Sequence, residues 1–149
     1  MREIKYGTMP NVVEKGVFSG YIYYITEGYM NPCAYVLVPK KIKRKKHPFY
    51  NMKKSDLYFI PSHGGITYKE DSFMYEPIDK NYFVIGWDYA HGMDFIYFDT
   101  QLVLEDSMFE EYNKGKKMWT RKEIKKDVKR VIDFLVEVED EINKRDIKK

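Results

Sequence analysis

A chain of 149 residues that is 44% hydrophobic and 17% aromatic is long enough to bury a core, and its 14 Tyr and 9 Phe exclude a disordered polypeptide. Charged residues make up 33% of the chain yet the net charge is only +3, which excludes a dedicated nucleic-acid binder with a uniformly basic surface. The single cysteine, Cys33, leaves no intramolecular disulfide, and no window approaches the roughly 18 apolar residues that a membrane helix needs.

The N-terminal MREIKYG has no apolar stretch of the kind a signal peptide carries, so a soluble, cytoplasmic protein is expected. Gly7, Pro10, Gly16 and Gly20 punctuate residues 1–20, which read as one or two strands joined by turns. The run 17–25 (VFSGYIYYI) alternates imperfectly but is strongly β-prone. Asn31-Pro32 marks a turn, and Ala34-Tyr35-Val36-Leu37-Val38 reads as a strand stopped by Pro39. Cys33 lies beside Pro32 and Ala34 in an apolar run, a setting for a small core residue rather than an activated thiol.

Six positive charges then fall in seven residues, Lys40-Lys41-Ile42-Lys43-Arg44-Lys45-Lys46. The run reads first as a solvated loop, next as a clamp for an anionic ligand and last as a non-specific nucleic-acid contact. It leads directly into His47-Pro48-Phe49-Tyr50. Leu57-Tyr58-Phe59-Ile60 and residues 66–68 are short strand candidates on either side of Pro61 and the His63-Gly64-Gly65 turn. Tyr82-Phe83-Val84-Ile85-Gly86-Trp87 reads as a buried strand. Its end breaks abruptly into Asp88-Tyr89-Ala90-His91-Gly92-Met93-Asp94, polar groups of the kind that a rigid strand carries into a ligand site. Phe95-Ile96-Tyr97-Phe98 is a further strand candidate, and residues 99–118 read as a connection with at most a short helical turn.

The last element is the plainest. Thr120 followed by Glu123 forms a capping box, and Ile124, Val128, Val131, Leu135, Val138 and Ile142 recur at helical steps. The predicted class is α+β, an antiparallel or mixed β-sheet packed by a long C-terminal amphipathic helix. One domain over 1–149 is expected, β-rich over 1–100, connecting over 101–119 and helical over 120–143.

The motifs YVLVPK, HPFY, HGGITY and IGWDYAHGMD, closed by that helix, resemble a family of small bacteriophage and prophage proteins. Members carry in order a YVGVP strand, a GHPLYG step, HGGLT and GFDCAH..D. The likeness covers residues 30–140. It marks His47, Pro48 and Tyr50, then His63, Gly64, Gly65 and Thr67, then Gly86, Asp88, His91 and Asp94. The chain departs from the pattern in Lys46, where the family often has Gly, in the heavier basic run 40–46, and in Trp87 for Phe. The resemblance implies an accessory protein of a phage or mobile element acting in the bacterial cytoplasm against host defence.

Three functions follow. The first is a module that binds and sequesters a nucleotide-derived small molecule, such as a cyclic nucleotide or an ADP-ribose derivative. It would use His47, His63, Gly64, Gly65, Thr67, Trp87, Asp88, His91 and Asp94. Phosphates would meet the Gly64-Gly65 backbone and the basic run, and a base would stack on Trp87, Tyr89 or Tyr68. The second is a metal-independent or metal-dependent, phosphodiesterase-like hydrolase, with His63 and His91 either as acid and base or, together with Asp88 or Asp94, as ligands of a divalent metal that activates water. The third is a protein that blocks a host factor through its aromatic surface. The spacing Asp88-x-x-His91-x-x-Asp94 matches no standard metal motif, so neither metal nor cofactor is assigned. A homo-oligomer is expected, with no membrane partner and no specific nucleic-acid target.

Overall fold

The computed structural model describes residues 11–27, 31–90 and 114–147. Five antiparallel strands form the main sheet: β1 (Asn11–Phe18), β2 (Tyr21–Glu27), β3 (Cys33–Pro39), β6 (Tyr68–Glu70) and β7 (Tyr82–Asp88), in the order β1-β2-β3-β7-β6. The short strands β4 (Lys41–Ile42) and β5 (Lys45–Lys46) pair with each other as a separate hairpin. The helix α1 (Arg121–Ile147) closes the chain and lies across one face of the sheet. This is the expected α+β arrangement, with the sheet wholly antiparallel. Among the described residues no helix is long and apolar enough to cross a membrane.

The continuous apolar runs in β3 and β7 follow from their central place. On the helix side, Ala34, Val36, Val38, Phe83, Ile85 and Trp87 pack against Ile124, Val128, Val131, Ile132 and Leu135. The opposite face carries Tyr24, Tyr35, Leu37 and Val84, and is covered by the 71–81 connection through Phe73, with Tyr75 and Ile78 packed beside it. A strand buried on both faces has no polar side to show, so alternation disappears from its sequence. Residues 47–67 seal the rim on the helix side with Phe49, Leu57, Ile60 and Ile66.

Local chemistry sets the turns. The β-prone run 17–25 divides into two strands, because Ser19 (φ 51°) and Gly20 (φ 82°) form a two-residue turn between β1 and β2. Positive φ at both central residues is the tight hairpin geometry that matches strand twist. The basic run 40–46 is not a loop but the β4–β5 hairpin, with its base fixed where Lys40 N–H donates to the Asn81 carbonyl at 2.8 Å and His47 N–H to the Lys40 carbonyl at 2.7 Å. Leu57–Ile60 is not a strand. Lys54–Leu57 forms a 3₁₀ turn, and the Ile60 N–H folds back to the Leu57 carbonyl at 3.2 Å. The apolar Leu57 and Ile60 point into the core from a tight turn, an arrangement that a four-residue pattern cannot distinguish from a strand. The strand expected at 66–68 begins two residues later, as β6.

The capping box forms as expected. Glu123 N–H donates to Thr120 Oγ1 at 3.2 Å, and Thr120 N–H donates back to Glu123 Oε1 at 3.1 Å. The Lys117 ammonium, 2.6 Å from Glu123, and the Thr120 amide pull this carboxyl down to about 2. The helix runs past the predicted residue 143 to Ile147. The strand candidate at 95–98, and the connecting segment as far as residue 113, lie outside the described residues.

Candidate site at the end of strand β7

β7 is the rail along which the expected site residues are placed. Its C-terminal end gathers residues from three separate stretches. The 62–67 loop arrives there because Thr67 N–H donates to the Gly86 carbonyl at 2.9 Å, and β6 then pairs Tyr68 with Gly86. Thr67 Oγ1 bonds Asp88 Oδ2 at 3.2 Å, while Asp88 Oδ1 accepts the Ala90 N–H at 3.1 Å. Asp88 therefore ties the loop to the strand and turns the chain beyond it.

His63 lies flat on Tyr89, ring centroids 4.7 Å apart and planes within 6°. The Trp119 ring, from the segment that leads into α1, touches both at 4.6 and 5.1 Å. Lys117 places its ammonium 4.2 Å above the Trp119 ring, a cation–π contact that keeps a positive charge on this wall. Behind the rings runs a buried polar chain. Trp87 Nε1–H donates to the Tyr89 hydroxyl at 3.2 Å, the hydroxyl donates to Asp127 Oδ2 at 2.7 Å, and Asp127 Oδ1 meets Arg130 at 2.8 Å. Sequence reasoning missed Trp119, Lys117 and Asp127. Asp127 had a readable signal, since it is a carboxylate on the apolar stripe of a helix, one step before Val128.

The glycines behave as the HGG motif implies. Gly64 (φ 71°) and Gly65 (φ 97°) both take left-handed backbone angles, which L side chains rarely adopt. Nothing lies within 4 Å of the point where a Cβ on Gly65 would sit, so the main chain there faces open space. Lys54 reaches the same loop, where its Nζ donates to the Thr67 carbonyl at 3.4 Å.

Other expected participants are placed elsewhere. Trp87 is 1% exposed and Tyr89 0%, so neither ring offers a face to a ligand, and Tyr68 is turned edge-on to Tyr35. His47 sits beside Phe83, toward the start of β7, and His63 against Tyr89, just past its end. Six residues of strand, about 20 Å at strand rise, separate the two contacts. His47 is 1% exposed, its Nδ1 accepts the Phe49 N–H at 3.1 Å, and burial pushes its pKa down to about 4. The basic hairpin joins the same early end of β7 through Asn81, so its cations do not converge with Gly64-Gly65. His91, Gly92 and Asp94 lie outside the described residues, and so does the expected meeting of His63 with His91.

Cys33 pairs with Asp88 across the sheet. Burial first, and the Asp88 charge second, push its thiol up to about 11, which keeps it protonated at neutral pH. Among the described residues no group of three His, Cys, Asp or Glu side chains is arranged to hold a metal ion. No protein-family model, curated protein or solved structure matches this chain.

Proposed function

We propose that the chain is a binding module for a nucleotide-derived small molecule of the cyclic-nucleotide or ADP-ribose type, held at the C-terminal end of β7. The observation that carries this reading is the unobstructed main chain at Gly65, next to two consecutive left-handed glycines and the Thr67–Asp88 pair. The Gly65 N–H donates to the Ser62 carbonyl at 3.4 Å and shapes the turn, and the missing side chains let a phosphate oxygen come close to the rest of its main chain. The half-buried His63 and Trp119 rings form a wall on which a base can lie, in place of the buried Trp87. Thr67 and Asp88 supply hydroxyl and carboxylate partners for a ribose. Retention rather than turnover accounts for this set: the partly buried Cys33 thiol is held protonated, and His63 is packed against the Tyr89 and Trp119 rings. In the phage setting that the motifs imply, such binding would sequester a host defence signal.

The test is a thermal-shift panel of cyclic mono- and oligonucleotides and ADP-ribose derivatives, with the ligand analysed after heat release. A true ligand present at a hundred times its Kd stabilises the fold by about 2.7 kcal/mol. It should be recovered unchanged, and Gly65→Ala and Asp88→Asn should each weaken binding at least about tenfold. Recovery of a cleaved product would replace the binding module with a hydrolase using His63. No shift with any member of the panel would leave a protein-blocking role in its place.

A further inference from the structure

The β4–β5 hairpin lies toward the start of β7, at the opposite end from the site above. The chain's net charge is +3 while residues 40–46 hold six cations, so the remainder sums to −3. Residues 114–130 are also net positive, with nine cations against two acids, but most of those cations are spread along the helix rather than gathered in a ribbon. Within it, Ile42 is 4% exposed and packed inward, whereas Lys41, Lys43, Arg44, Lys45 and Lys46 are all exposed. The ribbon thus shows cations and no apolar group to solvent.

Its turn is built against local preference. Two residues, Lys43 and Arg44, connect β4 to β5. Lys43 has φ 57°, while Arg44 does not have positive φ. Positive φ at the first central position alone is the hairpin turn type that calls for glycine there. A lysine in that position costs conformational energy that Gly or Asn would avoid, and a strained residue held in place is grounds for a functional hypothesis. What the lysine supplies is an unbroken cationic tip. The base of the ribbon borders an open cleft of about 470 Å³ in which Lys46 and Lys69 are balanced by Glu70 and Asp71, so the unbalanced positive charge belongs to the ribbon itself.

We propose that this ribbon binds the phosphate backbone of a nucleic acid, without sequence preference. A small anion is held by groups that converge, but these cations are strung along a projecting ribbon, the arrangement that matches a row of phosphates and releases their counterions. A membrane surface fits less well, since the exposed tip has no apolar or aromatic residue to insert.

The experiment is fluorescence anisotropy with a labelled 20-nucleotide single strand at 20–200 mM KCl, alongside vesicles containing anionic lipid. Each single-strand phosphate contact changes log K by about 0.7 per decade of salt, so at 0.1 M one contact is worth roughly fivefold. Lys43→Gly should weaken binding by about fivefold while raising Tm by about 3 °C, because it removes a charge and relieves the turn. The triple variant Lys43→Gly/Arg44→Gln/Lys46→Gln should lose about a hundredfold and flatten the salt slope by about 2. Wild-type affinity and slope in the folded triple variant would overturn the proposal, as would binding to vesicles but not to the oligonucleotide. Lys43→Gly that stabilises without weakening binding would remove the tip from it.

Discussion

His47 shows most directly how a polar residue acquires a structural role. With Nδ1 accepting the Phe49 N–H, the neutral ring carries its proton on Nε2, and that atom is buried with no hydrogen-bond partner among the described residues. Adding a second proton would place a charge among the Phe49 and Phe83 rings, so burial holds the pKa near 4 against 6.5 for a free imidazole. Between those values the unfolded chain binds a proton that the folded chain refuses, so stability falls as pH drops from about 6.5 toward 4. The full effect approaches about 3 kcal/mol, and it should appear in urea titrations at successive pH values as a slope that His47→Phe lacks. Equal slopes in the two proteins would disprove this account. The HPFY motif made His47 a ligand candidate, and nothing in those four letters reveals that the aromatic neighbours enclose the ring. Gly86 is similar. A Cβ there would lie 2.5 Å from the Tyr35 ring, so a position marked by the motif is required for strand packing.

The secondary-structure elements differ in how much of their form is local, and this decides how well each could be read. The C-terminal helix was legible because its signals are repeated: a cap, then an apolar residue at every turn. Its start depends on the Thr120–Glu123 exchange, which satisfies two amides that would otherwise lack partners. Thr120→Ala should cost about 1 kcal/mol in chemical denaturation without changing the dependence on denaturant. A loss under a few tenths would mean that Lys117 and Trp119 hold the first turn by themselves. The hairpins at Ser19-Gly20 and Lys43-Arg44 were harder to read, the first because its turn is embedded in a run of β-formers, the second because its turn carries no glycine. The segment 57–60 was misread because a few apolar residues look alike in a strand and in a 3₁₀ turn whose side chains reach the core.

Across the whole fold, the two-sided burial of β3 and β7 sets the order in which the protein opens. Ala34–Val38 and Phe83–Trp87 are sealed by α1 on one side and by the 71–81 connection on the other, whereas β1 and the three-residue β6 form the edges. Native-state hydrogen exchange should therefore be slowest in β3 and β7, at rates that report global unfolding, and faster by orders of magnitude in β1 and β6. Uniform protection across the five strands would contradict this layering. The general plan was visible in the sequence, since strand-rich composition followed by one amphipathic helix leaves few other packings. The candidate site was visible only in outline. HGG and the end of β7 do come together, but Trp119 and Asp127 reach it from the far end of the chain, and no local pattern announces that meeting. Their arrival has a mechanical result. The Tyr89 hydroxyl that steadies the ring beneath His63 is fastened to Asp127, in the second turn of the helix, so the floor of the candidate site and the foothold of the helix are the same few atoms. A molecule settling on those rings would tighten the grip of the helix on the sheet, and a helix that lifts away would take the floor with it.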